Sequence, residues 1–332
     1  MPPHRSKADW ARDLAAAINA EASDAAAQGK EAPTVRVLGK ADRNDAIDQV
    51  LVPAFVEPPD PLFWWVVKED GVEEAELKAR LRSMAAYMLA WVNRPLFDRG
   101  IAIGIHNNGG GGSEGEESGR MVAVATVRPP GVKHFTLGTL VSNVWALGEP
   151  PCHKHKKLWG EGTNKRFSIT SRLKEMEKDL MAEFKGRYLY VMSVGVLREC
   201  RGRGRGGALM RVLNRLADMH QLPLYLETES EENEAFYKRH GYHTLKIYRL
   251  HLHPDTAAAD PGNDMASRPQ SGQPMWLMKR MPAPVVAAAA DEVAAAPAAA
   301  GGAVAAEAEV EAEAKEEKDA AADSAAATAA PS

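Results

Sequence analysis

Cysteine is almost absent from this chain, because its 332 residues include only Cys152 and Cys200. Two cysteines cannot build a disulfide framework, which excludes a disulfide-stabilised secreted scaffold and favours a reducing, cytoplasmic compartment. Aromatic residues are also few, at 6%, but 45% of all residues are hydrophobic. That share is enough to bury one sizeable core, so we expect a single domain with tails.

The chain also lacks a large net charge and a long apolar run. Its formal net charge is -4, which argues against general affinity for nucleic acids. The longest weakly apolar stretch, 285–306, consists mostly of alanine and is interrupted by Asp291, Glu292 and Pro297. Such a stretch does not span a membrane, so neither a nucleic acid nor a membrane is an expected partner.

The two ends of the chain differ in composition from the middle. Residues 1–32 contain an Ala-rich helical pattern, in which Asp9 and Asp13 argue against a transit peptide. We therefore expect a flexible N-terminal extension with a loosely docked helix. Residues 283–332 are mainly Ala with Glu, Asp and Lys, which predicts a disordered acidic tail. The globular domain is expected at 33–282.

Hydrophobic periodicity outlines the elements of this domain. A first strand is expected at 34–38, and a helix with Asp42 near its start should follow. A second helix is expected to end before Pro95, because proline disfavours helical continuation. The remaining predicted strands are a hairpin of 101–105 with 121–127 across a Gly-rich loop, a central strand at 188–196, and closing strands at 243–251 and 275–278.

One glycine- and arginine-rich loop carries most of the recognisable chemistry. It lies between the central strand and a helix with apolar residues at helical spacing from Leu209 to Leu216. The first N–H groups of such a helix are unpaired and its dipole adds positive potential, so anions bind there. Glycines let the backbone approach a phosphate, and arginines add charge. The predicted ligand is a multiply phosphorylated nucleotide, bound by Arg201, Gly202, Arg203, Gly204, Arg205, Gly206 and Gly207.

Two other interpretations of this loop stay open. Gly202, Gly204 and Gly207 spell GxGxxG, and Glu227 follows about twenty residues later, as in dinucleotide-binding oxidoreductases. In that fingerprint the first glycine closely follows the strand, whereas here residues 197–201 intervene. A disordered RNA-binding tract is the second possibility, but such tracts repeat and this one occurs once.

Two motifs resemble those of one enzyme family. Arg201, Gly204 and Gly206 form RxxGxG behind a predicted strand, which resembles the acetyl-coenzyme A signature of the GCN5-related N-acetyltransferases. The segments 223–228 and 230–242 resemble the next strand of that family and its NxxNxxFYxxxGF helix. Ser230 replaces the first Asn of that pattern and suits a helix N-cap. The resemblance implies an α/β fold with a mixed, mostly antiparallel sheet, splayed at its central strand, and helices on both faces.

The same resemblance implies an activity, the direct transfer of acetyl from acetyl-coenzyme A to an amine without a metal. In this family the pantetheine arm pairs with the backbone beyond the splay, so Val194, Gly195 and Val196 are expected to bind the cosubstrate. More diffuse similarity points to the puromycin N-acetyltransferase-like branch and a small amine substrate. That similarity lies in Ala54-Phe55, Asp60-Pro61, Leu226-Glu227-Thr228 and Trp276-Leu277-Met278.

Three side chains are candidates for the chemistry. The family places a Tyr that protonates the leaving thiolate at the position of Tyr237; the alternative is that this ring and Phe236 are both core aromatics. Glu227 is a candidate base for the amine, directly or through water; the alternatives are that it caps the next helix or pairs with an arginine. Asn233 is a candidate cofactor contact, with helix capping as the alternative.

Two further groups of residues have competing interpretations. The sequence Cys152-His153-Lys154-His155 suggests a metal site, but zinc needs about four ligands and no second cluster is evident, so a basic surface loop is expected. Trp64 and Trp65 are either part of an acceptor pocket or ordinary buried aromatics. At the level of function, an acyl-coenzyme A sensor without turnover and an NAD-binding oxidoreductase are the alternatives to the acetyltransferase.

Overall fold

The structure is a computed structural model that describes residues 5–30, 33–107, 119–132, 175, 178–180, 182–250 and 273–284. Predictions for the loop 108–118, the cysteine-histidine sequence 152–155 and the tail from 285 onward lie outside the described residues. The strands are β1 (Val35–Val37), β2 (Ile101–His106), β3 (Met121–Arg128), β4 (Leu189–Val196), β5 (Leu224–Thr228), β6 (His243–Leu250) and β7 (Gln273–Arg280). The helices are α1 (Lys7–Ala27), α2 (Arg43–Asp45), α3 (Val52–Val56), α4 (Pro61–Val67), α5 (Glu74–Arg99), α6 (Arg205–His220) and α7 (Glu231–Lys238). A π-helix (Ala46–Leu51) joins α2 to α3, and a 3₁₀ turn (Arg198–Cys200) follows β4.

The described strands form one mixed sheet in the order β1-β2-β3-β4-β5-β7-β6. Only β4 and β5 run parallel within it, and every other neighbouring pair is antiparallel. The predicted hairpin is confirmed as β2 and β3, with Ile101 opposite Val127. The predicted fold class, a mixed and mostly antiparallel α/β structure, is therefore correct.

The sheet separates between its two parallel strands. The register of β4 and β5 contains only the pairs Leu189–Leu224 and Tyr190–Tyr225. On the other side of β4, Thr126 pairs with Ser193 and Val127 with Val191, so one residue of β4 is bulged out of the ladder. A bulge bends a strand and increases its twist, which directs the rest of β4 away from β5. From residue 191 onward, the described part of β4 thus has strand pairing on one side only.

Side chains pack on both faces of the sheet. Leu224 and Leu226 of β5 point into the larger core, whereas Tyr225 between them points into a smaller, tyrosine-rich cluster. This alternation follows from the two-residue period of a strand. The larger core contains α1, α5 and α6, while Leu180, in the helical residues 178–180, packs in the smaller one. Helices accordingly cover both faces, as predicted.

Helix α5 continues through Pro95 to Arg99, although the sequence predicts an end before the proline. Proline removes one hydrogen bond from a helix. Burial of Leu96 and Phe97, which are 0% and 1% exposed, offsets that loss and retains the next turn. Neither α5 nor another described helix combines the length and apolarity that a bilayer span requires.

Helix α1 is firmly packed, whereas the sequence predicts a loosely docked helix in a flexible extension. It begins with a capping box, in which Ser6 Oγ accepts from the Asp9 N–H and the Asp9 carboxylate accepts from the Ser6 N–H. Trp10, Leu14 and Ala17 are 5%, 1% and 0% exposed and join the larger core. Their helical spacing gives one apolar stripe, and this stripe is the reason that the helix docks.

Candidate active site

The glycine-rich loop ends in an uncapped helix N-terminus. Gly202 and Gly204 both have φ of +74°, a left-handed conformation that residues with a Cβ rarely adopt. Gly204 is the N-cap of α6 and supplies no side-chain cap, so the N–H groups of Arg205, Gly206 and Gly207 gain no hydrogen bond from it. Together with the dipole of this 16-residue helix, they place unpaired donors and positive potential at the start of α6, the arrangement that general physical chemistry favours for anions. The predicted order of strand, loop and helix is confirmed.

Three elements meet at this helix end. A Cβ added to Gly206 would lie 3.4 Å from Phe236 Cζ on α7 and 3.5 Å from Val196 Cγ2 at the end of β4. The structure therefore brings the glycine loop, the strand that borders the split and the helix of Tyr237 together. From the sequence, these residues were expected to lie together only because they resemble motifs of one enzyme family.

The arginines of the loop are used differently from one another. Arg201 donates from Nε to the Val196 carbonyl at 3.1 Å and from Nη2 to the Ala54 carbonyl at 2.8 Å. Its guanidinium thus ties the loop to β4 and α3, rather than offering those donors to a phosphate as expected. Arg205 donates from Nη2 to Asn107 Oδ1 at 3.0 Å, while its Nη1 is buried without a hydrogen-bond partner among the described residues. Arg203 is exposed in the loop, two residues before α6 begins.

A helix packs so closely against Gly195 that the position has no room for a side chain. A Cβ at this position would lie 2.9 Å from Leu51 Cδ2 and 3.2 Å from Ala54 Cβ. The sequence suggests either a close ligand or a strand irregularity at this glycine. The structure shows instead that its missing side chain admits the end of the π-helix and the start of α3.

Replacing Gly195 with Val should therefore destabilise the fold. We expect a loss of about 2 kcal/mol, because added atoms in a packed core force neighbouring groups apart. Thermal unfolding of both proteins measures this effect. Gly206→Ala is the matched control, since its Cβ meets neighbours at ordinary contact distance and Ala favours helix. An unchanged melting temperature for Gly195→Val would show that this contact is unimportant.

Glu227 lies near the end of β5, where the two parallel strands have separated. Its Oε2 accepts a hydrogen bond from the Tyr190 hydroxyl. Burial raises the pKa of Glu227 to about 7, although this hydrogen bond and the charge of Arg128 act in the opposite direction. Glu227 does not cap α7, because Ser230 Oγ accepts from the Asn233 N–H there. A carboxylate with a near-neutral pKa is suited to general base catalysis.

Tyr237 and Phe236 are both half-buried and pack edge to face, with ring centroids 5.1 Å apart. Phe236 faces the N-terminus of α6, and the ring of Tyr237 lies 5.8 Å from that of Tyr242. Burial, followed by the negative charges of Glu229 and Asp60, raises the pKa of Tyr237 above its ordinary value. The phenol is therefore neutral near pH 7 and can donate a proton.

The sequence alone assigned no chemical role to two carboxylates near Tyr237. Asp60 caps α4, where its Oδ1 accepts from the N–H groups of Leu62 and Phe63, both at 3.0 Å. Burial raises the pKa of Asp60 to about 6. The pKa of Glu229 lies well above its usual value because of burial and the charges of Asp60 and Glu227. The two-residue spacing of Glu227 and Glu229 was the available signal for one face of a strand.

The other residues that the sequence analysis proposed for the site show few contacts that would support a functional role. Asn233 is exposed, and its backbone N–H donates to Ser230 Oγ at 3.1 Å, so capping is its visible role. Trp64 and Trp65 on α4 are half-buried beside Asp60. Within the described part of the chain, no three His, Cys, Asp or Glu side chains are placed to hold a metal ion.

Comparison with protein families matches residues 176–244 to a family model described as acetyltransferase (GNAT) domain. This segment contains β4, α6, β5 and α7. This part of the chain is therefore similar to an acetyltransferase (GNAT) domain. A comparison with curated proteins found no match.

Several solved structures are similar to this chain at low sequence identity. A histone acetyltransferase and related acetyltransferase from Corynebacterium glutamicum is 20% identical with a TM-score of 0.42, covering 76% of this chain and 98% of its own. A Drosophila melanogaster polyamine N-acetyltransferase that forms N-acetylagmatine is 18% identical with a TM-score of 0.42, covering 74% and 98%. Arylalkylamine N-acetyltransferase 2 from Aedes aegypti is 14% identical with a TM-score of 0.42, covering 74% and 97%. Similarity at this level carries no argument about the substrate of this chain.

Proposed function

We propose that this chain is an acetyl-coenzyme A-dependent N-acetyltransferase that transfers acetyl directly to a small amine. The observation that carries the proposal is the uncapped, glycine-rich N-terminus of α6 beside the split between β4 and β5. The acetyltransferase domain match over residues 176–244 supports it. Assignment to the puromycin-type branch and a cytoplasmic location stay predictions.

The residues around the split fit the chemical parts of acetyl-coenzyme A. The N–H groups of Arg205, Gly206 and Gly207 suit its diphosphate. The half-buried guanidinium of Arg205, whose Nη1 has no hydrogen-bond partner among the described residues, adds positive charge. The unpaired side of β4 at residues 194–196 offers backbone groups to the amides of the pantetheine arm. When bound, this cosubstrate supplies an activated acetyl group and a thiol leaving group.

Side chains of β5 and α7 then transfer the protons. Glu227 accepts a proton from the attacking amine as the new C–N bond forms. Tyr237 donates its proton to sulfur as the C–S bond of the thioester breaks. The carboxylate of Asp60 adds negative potential near Tyr237, which attracts a cationic acceptor.

Calorimetry with coenzyme A and with NAD, followed by a panel of amines with thiol release as the signal, tests this function. We expect binding of coenzyme A, no binding of NAD, and thiol release with at least one amine. Puromycin and simple diamines belong in the panel. Binding of coenzyme A without release on any amine favours the sensor, and binding of NAD alone favours the oxidoreductase.

The role of Tyr237 is tested by its replacement with Phe. We expect kcat to fall about a hundredfold, because a positioned proton donor is lost, while the Kd for coenzyme A stays the same. Tyr242→Phe is the matched control, since the Tyr242 hydroxyl is buried without a hydrogen-bond partner among the described residues. Equal losses in both variants, or weaker coenzyme A binding by Tyr237→Phe, would contradict the assigned role.

A further inference from the structure

A side-chain hydrogen bond continues the contact between β4 and β5 beyond their last backbone pair. That last pair is Tyr190 with Tyr225. Glu227 lies two residues after Tyr225 and therefore on the same face of β5. The Tyr190 hydroxyl donates to Glu227 Oε2 across this gap. Tyr190 is thus the group on β4 that holds the carboxylate at the start of the split.

Tyr190 itself has a fixed position. Its ring stacks on Tyr225, with centroids 5.9 Å apart and planes inclined by 24°. The guanidinium of Arg128, its partner residue on β3, lies 5.1 Å from the ring centroid. The Tyr190 residue is only 9% exposed. A ring confined on both sides places its hydroxyl in one direction, which is the requirement for orienting another side chain.

We propose that Tyr190 is a positioning residue: it fixes one carboxylate oxygen of Glu227, leaves the other for the amine, and stabilises the ionised form. This inference rests on the proposed function, because it assumes that Glu227 is the base. Tyr190 does not contact the reacting atoms in this proposal and acts only through Glu227.

The charges around Glu227 give the sign of the effect. Arg128 on β3 and the Tyr190 hydroxyl on β4 lower its pKa, whereas burial raises it. Glu229 lies on the chain just beyond β5, and burial together with the charges of Asp60 and Glu227 raises its pKa well above the usual value. Asp60 at the start of α4 and Tyr237 on α7 interact with Glu229. The phenol of Tyr225 beside Glu227 is neutral, since its pKa lies above the ordinary value. Loss of the Tyr190 hydroxyl therefore removes a stabilising contact from the carboxylate and raises the pKa of Glu227.

The direct experiment is a carboxyl ¹³C titration of Glu227 in the full chain, with the signal assigned from its loss in Glu227→Gln. In Tyr190→Phe the midpoint should rise by about one pH unit, because a hydrogen bond to a charged group is removed. Tyr225→Phe is the control, because it removes a buried hydroxyl without a partner among the described residues. Its midpoint should match that of the unmodified protein. An unmoved midpoint in Tyr190→Phe overturns the inference.

The pH profile of kcat/KM gives the second test. The rising limb of Tyr190→Phe should shift upward by about one unit, with roughly a tenfold loss at about pH 6 and recovery at alkaline pH. A uniform loss at all pH values, with an unmoved limb, indicates a structural role and overturns the inference. If the unmodified chain transfers no acetyl although the ¹³C midpoint shifts, the proposed function fails while the contact between Tyr190 and Glu227 stands.

Discussion

Glu227→Gln should lower kcat for acetyl transfer about a thousandfold, because the amide cannot accept the proton of the attacking amine. In the unmodified protein the carboxyl group must be deprotonated to act, so kcat/KM should rise as the pH increases through about 7, the pKa of Glu227. The variant should lose this rising limb. Steady-state kinetics across pH measure both effects.

The affinity for coenzyme A separates a catalytic loss from a folding defect. Gln keeps the shape of Glu and still offers an oxygen to the Tyr190 hydroxyl, so the Kd for coenzyme A should not change. Glu231→Gln makes the same replacement at an exposed position of α7 and should leave the rate unchanged. Near-normal turnover by Glu227→Gln would show that the base lies elsewhere.

Gly206→Asp should weaken coenzyme A binding about a hundredfold without unfolding the protein. A carboxylate within about 5 Å of a bound phosphate costs roughly 3 kcal/mol in a partly screened site. The same charge in the first turn of α6 stabilises the helix itself. Calorimetry with coenzyme A and thermal unfolding should therefore change in different ways.

Gly206→Asn is the matched control for this variant, because it has the same size without the charge. The added Cβ would contact Phe236 and Val196 at 3.4 and 3.5 Å, so the backbone need not move. Pantetheine, which carries no phosphate, should bind both variants alike. Equal affinities of the Asp and Asn variants for coenzyme A would contradict an anion site at this helix end.

Local sequence patterns predict the strand, loop and helix around Gly204, because each follows from residues that are close in the chain. Such local features include the left-handed conformation of Gly202 and Gly204 and the uncapped start of α6. The splay beyond Tyr190 is different, since it was expected only through resemblance to a family. Hydrophobic spacing predicts strands but not the point at which two of them separate.

Contacts distant in sequence account for what the patterns missed. Arg201 binds the carbonyl of Ala54, 147 residues away, so its role as a tie between elements has no local signature. Likewise, Leu51 is distant in sequence, yet it leaves no room for a side chain at Gly195. The electrostatics of Glu227 depend on burial and on Tyr190, which reach it only in the folded sheet. These effects require three-dimensional proximity, which one sequence does not contain.

The packing of α1 has a practical consequence for recombinant expression. A shortened chain that starts at residue 33 would omit Trp10 and Leu14. The surface of α6 against which α1 packs would then be exposed to solvent. The shortened chain would also lose the ion pairs from α1 to Arg211 and Arg215 on that helix. Exposed hydrophobic surface of this kind promotes aggregation of the purified protein. Cloning boundaries for this protein therefore belong ahead of Ser6.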